Sequence, residues 1–174
     1  LRFVAALSAL WLFRQSYLEL EWKFAWIGPV SGVGVFLLWV ALDQITTMHG
    51  GGTMPNELAN SSTGLRTTWI AVRVLAAVVT VPLTEELAFR GFLLRRFISA
   101  HFETVSLQRF TWFSLLASSL LFGVMHGERW LAGTVAGVLY GLTAQRRGRL
   151  ADSVIAHATT NALLAVYVLT FQKW

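Results

Sequence analysis

The 174-residue chain contains no cysteine. Disulfide bridges, thiolate zinc ligands and thiol nucleophiles are therefore excluded. Charge is scarce as well: Asp, Glu, Lys and Arg make up 13% of the residues, about half the share of an ordinary soluble domain. Proline occurs 3 times, and no stretch shows the apolar–polar alternation of a half-buried strand. These shortages exclude a disordered chain, a coiled coil and a disulfide scaffold. What is abundant is apolar: 55% hydrophobic residues, with 8 Trp and 12 Phe, and a mean hydropathy of +0.58. A soluble enzyme of this size needs more polar surface to cover its core. The composition is that of a polytopic membrane protein. Helices satisfy their own backbone in lipid, so the expected fold is all-α: a transmembrane bundle of about six to seven helices, multi-pass in the membrane.

The net charge is +5 and the isoelectric point is near 10.4. A basic balance can mean nucleic acid. Here the basic residues flank apolar segments, as the positive-inside rule expects, so the implied partner is membrane lipid and no nucleic acid. The length fits one domain, 1–174. The chain opens on Leu1 rather than Met, which reads as N-terminal truncation with helices missing upstream. The first 13 residues lack a small-residue cleavage site and read as part of a helix, not a signal peptide.

Apolar segments are expected at 1–13, 26–42, 67–81, 82–100, 107–125, 130–145 and 150–171, with a mixed-charge connector at 14–26. The polar stretch 43–66 contains Gly50, Gly51, Gly52 and Pro55 and reads as a loop. Pro82 is read as opening a new segment. Gly133, Gly137 and Gly141 recur at four-residue spacing and form a face on which another helix can pack closely. If the segments from 26 onward alternate, Arg66, Arg95, Arg96, Arg109, Arg146, Arg147 and Arg149 share one side. Arg14, Lys23, Arg129 and Lys173 share the other. The richer side is then cytoplasmic.

Ionisable groups within apolar segments are costly, so each is a functional candidate. These are Arg73, Glu85, Glu86, Arg90, His126 and His157, with the amide of Asn161. In the run from Pro82 to Gly91, Glu86 and Arg90 are i,i+4 neighbours able to pair. Glu85 points elsewhere. A cap formed by Thr84, with two acids in the first turn, is the plain structural alternative. His126 follows Phe122 and Gly123, and Gly123 leaves room on its face. His157 and Asn161 present two polar tips on one helix face. They suit either interhelical hydrogen bonding or an oxyanion site. Together the set supplies a carboxylate, two imidazoles and an amide donor, which suits attack by an activated water on an acyl carbon.

The ordered trio Glu-Glu-x-x-x-Arg, Phe-x-x-x-His and His-x-x-x-Asn, on separate apolar segments, resembles the CAAX protease and bacteriocin-processing (CPBP) family of intramembrane proteases. The wording from Val81 to Arg96 looks more narrowly like the bacterial branch associated with exosortase systems. The resemblance implies an intramembrane endopeptidase that cuts a protein or peptide substrate near its C-terminus or the membrane boundary. It also implies a bacterial inner membrane and a functional link to an exosortase-type sorting system. By the same resemblance Glu85 is the base that activates water and His126 helps hold that water. His157 and Asn161 stabilise the oxyanion, and Glu86 with Arg90 forms the supporting ion pair. No cofactor is expected; the alternative is zinc held by Glu85, His126 and His157, although no His-Glu-x-x-His helix is present. A non-catalytic membrane protein, such as an immunity factor or a small transporter, is the competing class, and no internal repeat supports a transporter.

One expectation conflicts with the rest. With Glu85 starting its own segment and His157 about 10 Å into another, the two lie at different membrane depths.

Overall fold

The computed structural model describes residues 8, 10–12, 14–18, 21–46, 54 and 56–172. It is all-α, with no strand among the described residues. The segment at 1–13 lies for the most part outside them. A short helix, Arg14–Leu18, precedes α1, Ile27–Thr46. A single turn at Asn56–Ala59 leads into α2, Thr63–Arg96, which is 34 residues long. Then follow α3, Trp112–Val124, α4, Trp130–Arg147, and α5, Leu150–Phe171. Most of α1, all of α2 and all of α5 are long and apolar enough to cross a membrane. Their outer faces carry exposed apolar side chains, among them Val30, Leu37, Val79 and Val166.

The separate segments expected at 67–81 and 82–100 are one helix, so the break at Pro82 is corrected. Proline removes a hydrogen bond and crowds the preceding turn, yet α2 absorbs it by changing pitch. Residues Ala76–Thr80 and Leu87–Leu93 are π-helical, a widening that relieves such a misfit. Thr84 is not a cap. Its hydroxyl donates to the carbonyls of Thr80, at 2.8 Å, and Val81, at 3.0 Å. The cap is Ser62, whose side chain accepts from the Leu65 N–H.

Merging the segments has two consequences. Arg66 and the pair Arg95 and Arg96 stand at opposite ends of one helix, so they do not share a side and the charge count made on alternation does not hold. Glu85 moves from the start of a helix to its interior, about 16 Å from the Arg96 end at 1.5 Å per residue. His157 lies about 10 Å into α5, and the conflict of depths is greatly reduced.

The helices approach closely where side chains are absent. A Cβ on Gly32 would sit 2.4 Å from the Ala156 carbonyl and 2.6 Å from the Thr159 Cβ, so the α1 backbone lies directly against α5. A Cβ on Gly137 would sit 2.9 Å from Ser119, and one on Gly123 would sit 2.4 Å from the Trp130 carbonyl; these two join α3 to α4. A Ser31–Thr143 hydroxyl contact of 2.7 Å ties α1 to α4. Val35, Phe89, Phe122, Ala136, Tyr140 and Ala156 form the core between them. The turn from α4 to α5 closes on Gly148, whose φ of +68° suits glycine.

Gly32→Ala is expected to lower stability by about 1–3 kcal/mol through overpacking against α5. Gly34→Ala, with nothing within 4 Å of the added methyl, should not lower it and gains up to about 1 kcal/mol of helix propensity. Thermal melts of the two variants in detergent check the contrast.

Candidate active site

Glu85 and Glu86 are consecutive on α2, so their side chains leave the helix in different directions. Glu86 faces inward and is fully buried. Its Oε1 accepts from Arg90 Nη1 at 2.9 Å and from His157 Nδ1 at 3.0 Å. Arg90, 3% exposed, spends its other terminal nitrogen on the Gly137 carbonyl at 2.8 Å. Its guanidinium lies 4.5 Å from the centre of the Phe122 ring and 5.5 Å from that of Tyr140. One carboxylate therefore connects α2 to α5 directly, and to α4 through its arginine.

His157 is buried on α5 and stacks on Tyr140, with ring centres 4.8 Å apart and planes 18° apart. Phe122 meets it edge-on at 5.7 Å. Because Nδ1 faces a carboxylate, which only accepts, Nδ1 carries a proton. The other nitrogen, Nε2, then points to Glu85 Oε2 at 3.9 Å.

Glu85 differs from its neighbour in exposure and in partners. Its side chain retains 22% exposure. No hydrogen bond reaches its Oε2, nor that of Glu86, among the described residues, and its ion-pair contact there is with His157, not with an arginine. It lies within electrostatic range of both His157 and His126.

His126 closes α3. Its Nδ1 donates to the Phe122 carbonyl at 2.8 Å, which leaves Nε2 as the lone-pair nitrogen. Phe122, at 4.8 Å, and Trp39, at 5.3 Å, hold the ring. The room beside it comes from Gly133, where a Cβ would sit 3.0 Å from the His126 Nδ1. The approach that Gly123 permits is that of α4, through Trp130 and Thr134.

Asn161 lies one turn beyond His157. Its Nδ2 donates to the Ala77 carbonyl of α2 at 2.7 Å. Glu85, Glu86, Arg90 and His157 thus meet directly; His126 and Asn161 border them through α3 and through Ala77. Arg73 stays outside this group, exposed on α2 with its guanidinium 5.1 Å from the Trp69 ring centre. Among the described residues no three His, Asp or Glu side chains are gathered as a metal site requires.

Tyr140 is the participant that motif reading overlooked. It stands seven residues after Gly133 and three after Gly137, on the helix face the glycines already marked. The face could have revealed it as buried, but not as the stacking partner of His157.

The model of a family described as type II CAAX prenyl endopeptidase Rce1-like matches residues 67–163, more than half of the chain and a range that includes every residue of this site. No curated protein and no solved structure matches the chain.

Removing Arg90 leaves the Glu86 carboxylate buried with its charge unpaired, at a cost of about 3–5 kcal/mol. Arg90→Ala should consequently reduce the yield of folded protein. Size-exclusion profiles and melting curves in detergent read the effect, and an unaltered melting curve contradicts the structural role.

Proposed function

The chain belongs to the Rce1-like family of type II CAAX prenyl endopeptidases, and we propose that it cuts a protein substrate with a water molecule activated by Glu85. Membership makes it a membrane-embedded endopeptidase of the CAAX type. The observation that carries the finer reading is the division between adjacent carboxylates. Glu86 Oε1 is taken up by Arg90 at 2.9 Å and His157 at 3.0 Å, whereas Glu85 pairs with no arginine, stands 3.9 Å from His157 Nε2 and keeps a partly exposed side chain.

In the proposed mechanism a water sits between Glu85 and the lone-pair nitrogen of His126. Glu85 takes one of its protons as the oxygen attacks the scissile carbonyl. The negative charge on the carbonyl oxygen is met by Nε2 of His157, with the ring doubly protonated, and by the free amide hydrogen of Asn161. Glu85 then returns the proton to the departing amine, and the peptide bond breaks. Burial strengthens each of these interactions, because little water competes for the same atoms. The proposed substrate is a protein or peptide whose scissile bond lies near its C-terminus or at the membrane boundary. That placement is supported by membership of the CAAX endopeptidase family.

The test uses purified protein in lipid nanodiscs and a membrane-anchored peptide with a C-terminal extension. Wild type treated with chelator and verified by elemental analysis should cleave at its untreated rate. Glu85→Gln should fold and be nearly inactive. Asn161→Ala should raise the barrier by about 2.7–4 kcal/mol, the usual loss for one oxyanion donor. Stoichiometric zinc whose removal stops cleavage and whose return restores it would overturn the glutamate mechanism and leave the peptidase assignment standing.

A further inference from the structure

The hydrogen bond from Asn161 to Ala77 has an origin in the backbone of α2. In an α-helix the Ala77 carbonyl would accept from the N–H of residue 81, and in a π-turn from that of residue 82. Here the Val81 N–H is given to the Ala76 carbonyl. Residue 82 is proline, which has no N–H. Both backbone donors that could serve Ala77 are thereby removed, and a carbonyl left without a partner inside a bundle is costly. The neighbouring carbonyls of Thr80 and Val81 receive the Thr84 hydroxyl from within α2. Ala77 is served instead from α5, by Asn161 at 2.7 Å.

This contact decides how the amide sits. A carbonyl oxygen accepts and never donates, so Asn161 must turn its nitrogen, not its oxygen, toward α2. One amide hydrogen is then fixed on Ala77, and the second is left for another acceptor, one helical turn along α5 from His157. We infer that Pro82 is a positioning residue: by withholding a backbone N–H it leaves the Ala77 carbonyl free to orient the Asn161 amide for the oxyanion. This rests on the oxyanion role proposed above for Asn161. Restoring an N–H at position 82 lets this part of α2 close into a continuous ladder. The Ala77 carbonyl is then drawn along the helix axis, away from α5.

The test is a double-mutant cycle of Pro82→Ala, Asn161→Ala and the double variant, assayed in nanodiscs with the membrane-anchored peptide. Alanine is a far better helix former than proline, but the Pro82 side chain is fully buried and its truncation leaves a small cavity, so the kinetics of Pro82→Ala are measured well below its own melting temperature. Its kcat should fall about ten- to a hundredfold, the scale of a slightly misplaced catalytic group, with KM unchanged. Asn161→Ala should lower kcat about 10²–10³-fold, and the double variant should be no slower than Asn161→Ala alone. Wild-type kcat in Pro82→Ala, or losses that multiply in the double variant, overturn the inference. Full activity in Asn161→Ala overturns the oxyanion reading instead. A measurement on unmutated protein needs no variant to fold: NMR should show a through-hydrogen-bond coupling between Asn161 Nδ2 and the Ala77 carbonyl carbon. Its absence overturns the inference whatever the kinetics give.

Discussion

A single oxygen, Glu86 Oε1, accepts from both Arg90 and His157, and the arrangement of the centre depends on it. A fully buried carboxylate is tolerable only when its charge is matched and hydrogen-bonded. Arg90 supplies the matching charge and passes the connection on to α4 through Gly137. His157 supplies the second bond and in doing so has its ring orientation and proton position fixed. What faces Glu85 is therefore a defined nitrogen, not a freely turning imidazole.

The aromatic side chains complete this restraint. Tyr140 covers one face of His157, while Phe122 touches His157, His126 and the Arg90 guanidinium together. Stacking and cation–π contacts are individually modest. Their effect here is to hold the imidazole between the two carboxylates and to keep water from the Glu86 side. Two carboxylates with the same intrinsic chemistry thus acquire different environments, one fully buried and matched by Arg90, the other partly exposed and faced only by His157. The small residues of α1, α3 and α4 make the geometry reachable. Without Gly133 the His126 ring and α4 could not occupy their present positions.

Much of this could be read before any coordinates. The bounds of α5 follow from its mainly apolar composition between Arg149 and Lys173, and the Glu86–Arg90 pair follows from i,i+4 spacing, because both are local properties of a helix. Pro82 was misread since its usual effect is to end a helix, and nothing local announces that π-turns will absorb it. That error placed Glu85 at a helix start and produced the conflict of depths with His157. The His157–Glu86 bond, the Tyr140 stack and the Asn161–Ala77 bond were not legible for a different reason. Each joins residues distant along the chain, and their pairing is settled by which helix faces meet, which glycine spacing indicates without specifying partners.

The central claim is that the adjacent carboxylates divide their labour, Glu86 holding the site together and Glu85 acting on water. Side-by-side melting temperatures and turnover numbers for Glu85→Gln and Glu86→Gln test it most directly. The account predicts that the Glu85 variant melts like wild type and does not turn over. It predicts that the Glu86 variant, left with Arg90 buried and unmatched, melts well below wild type. Equal melting temperatures, or turnover surviving in the Glu85 variant, would contradict it.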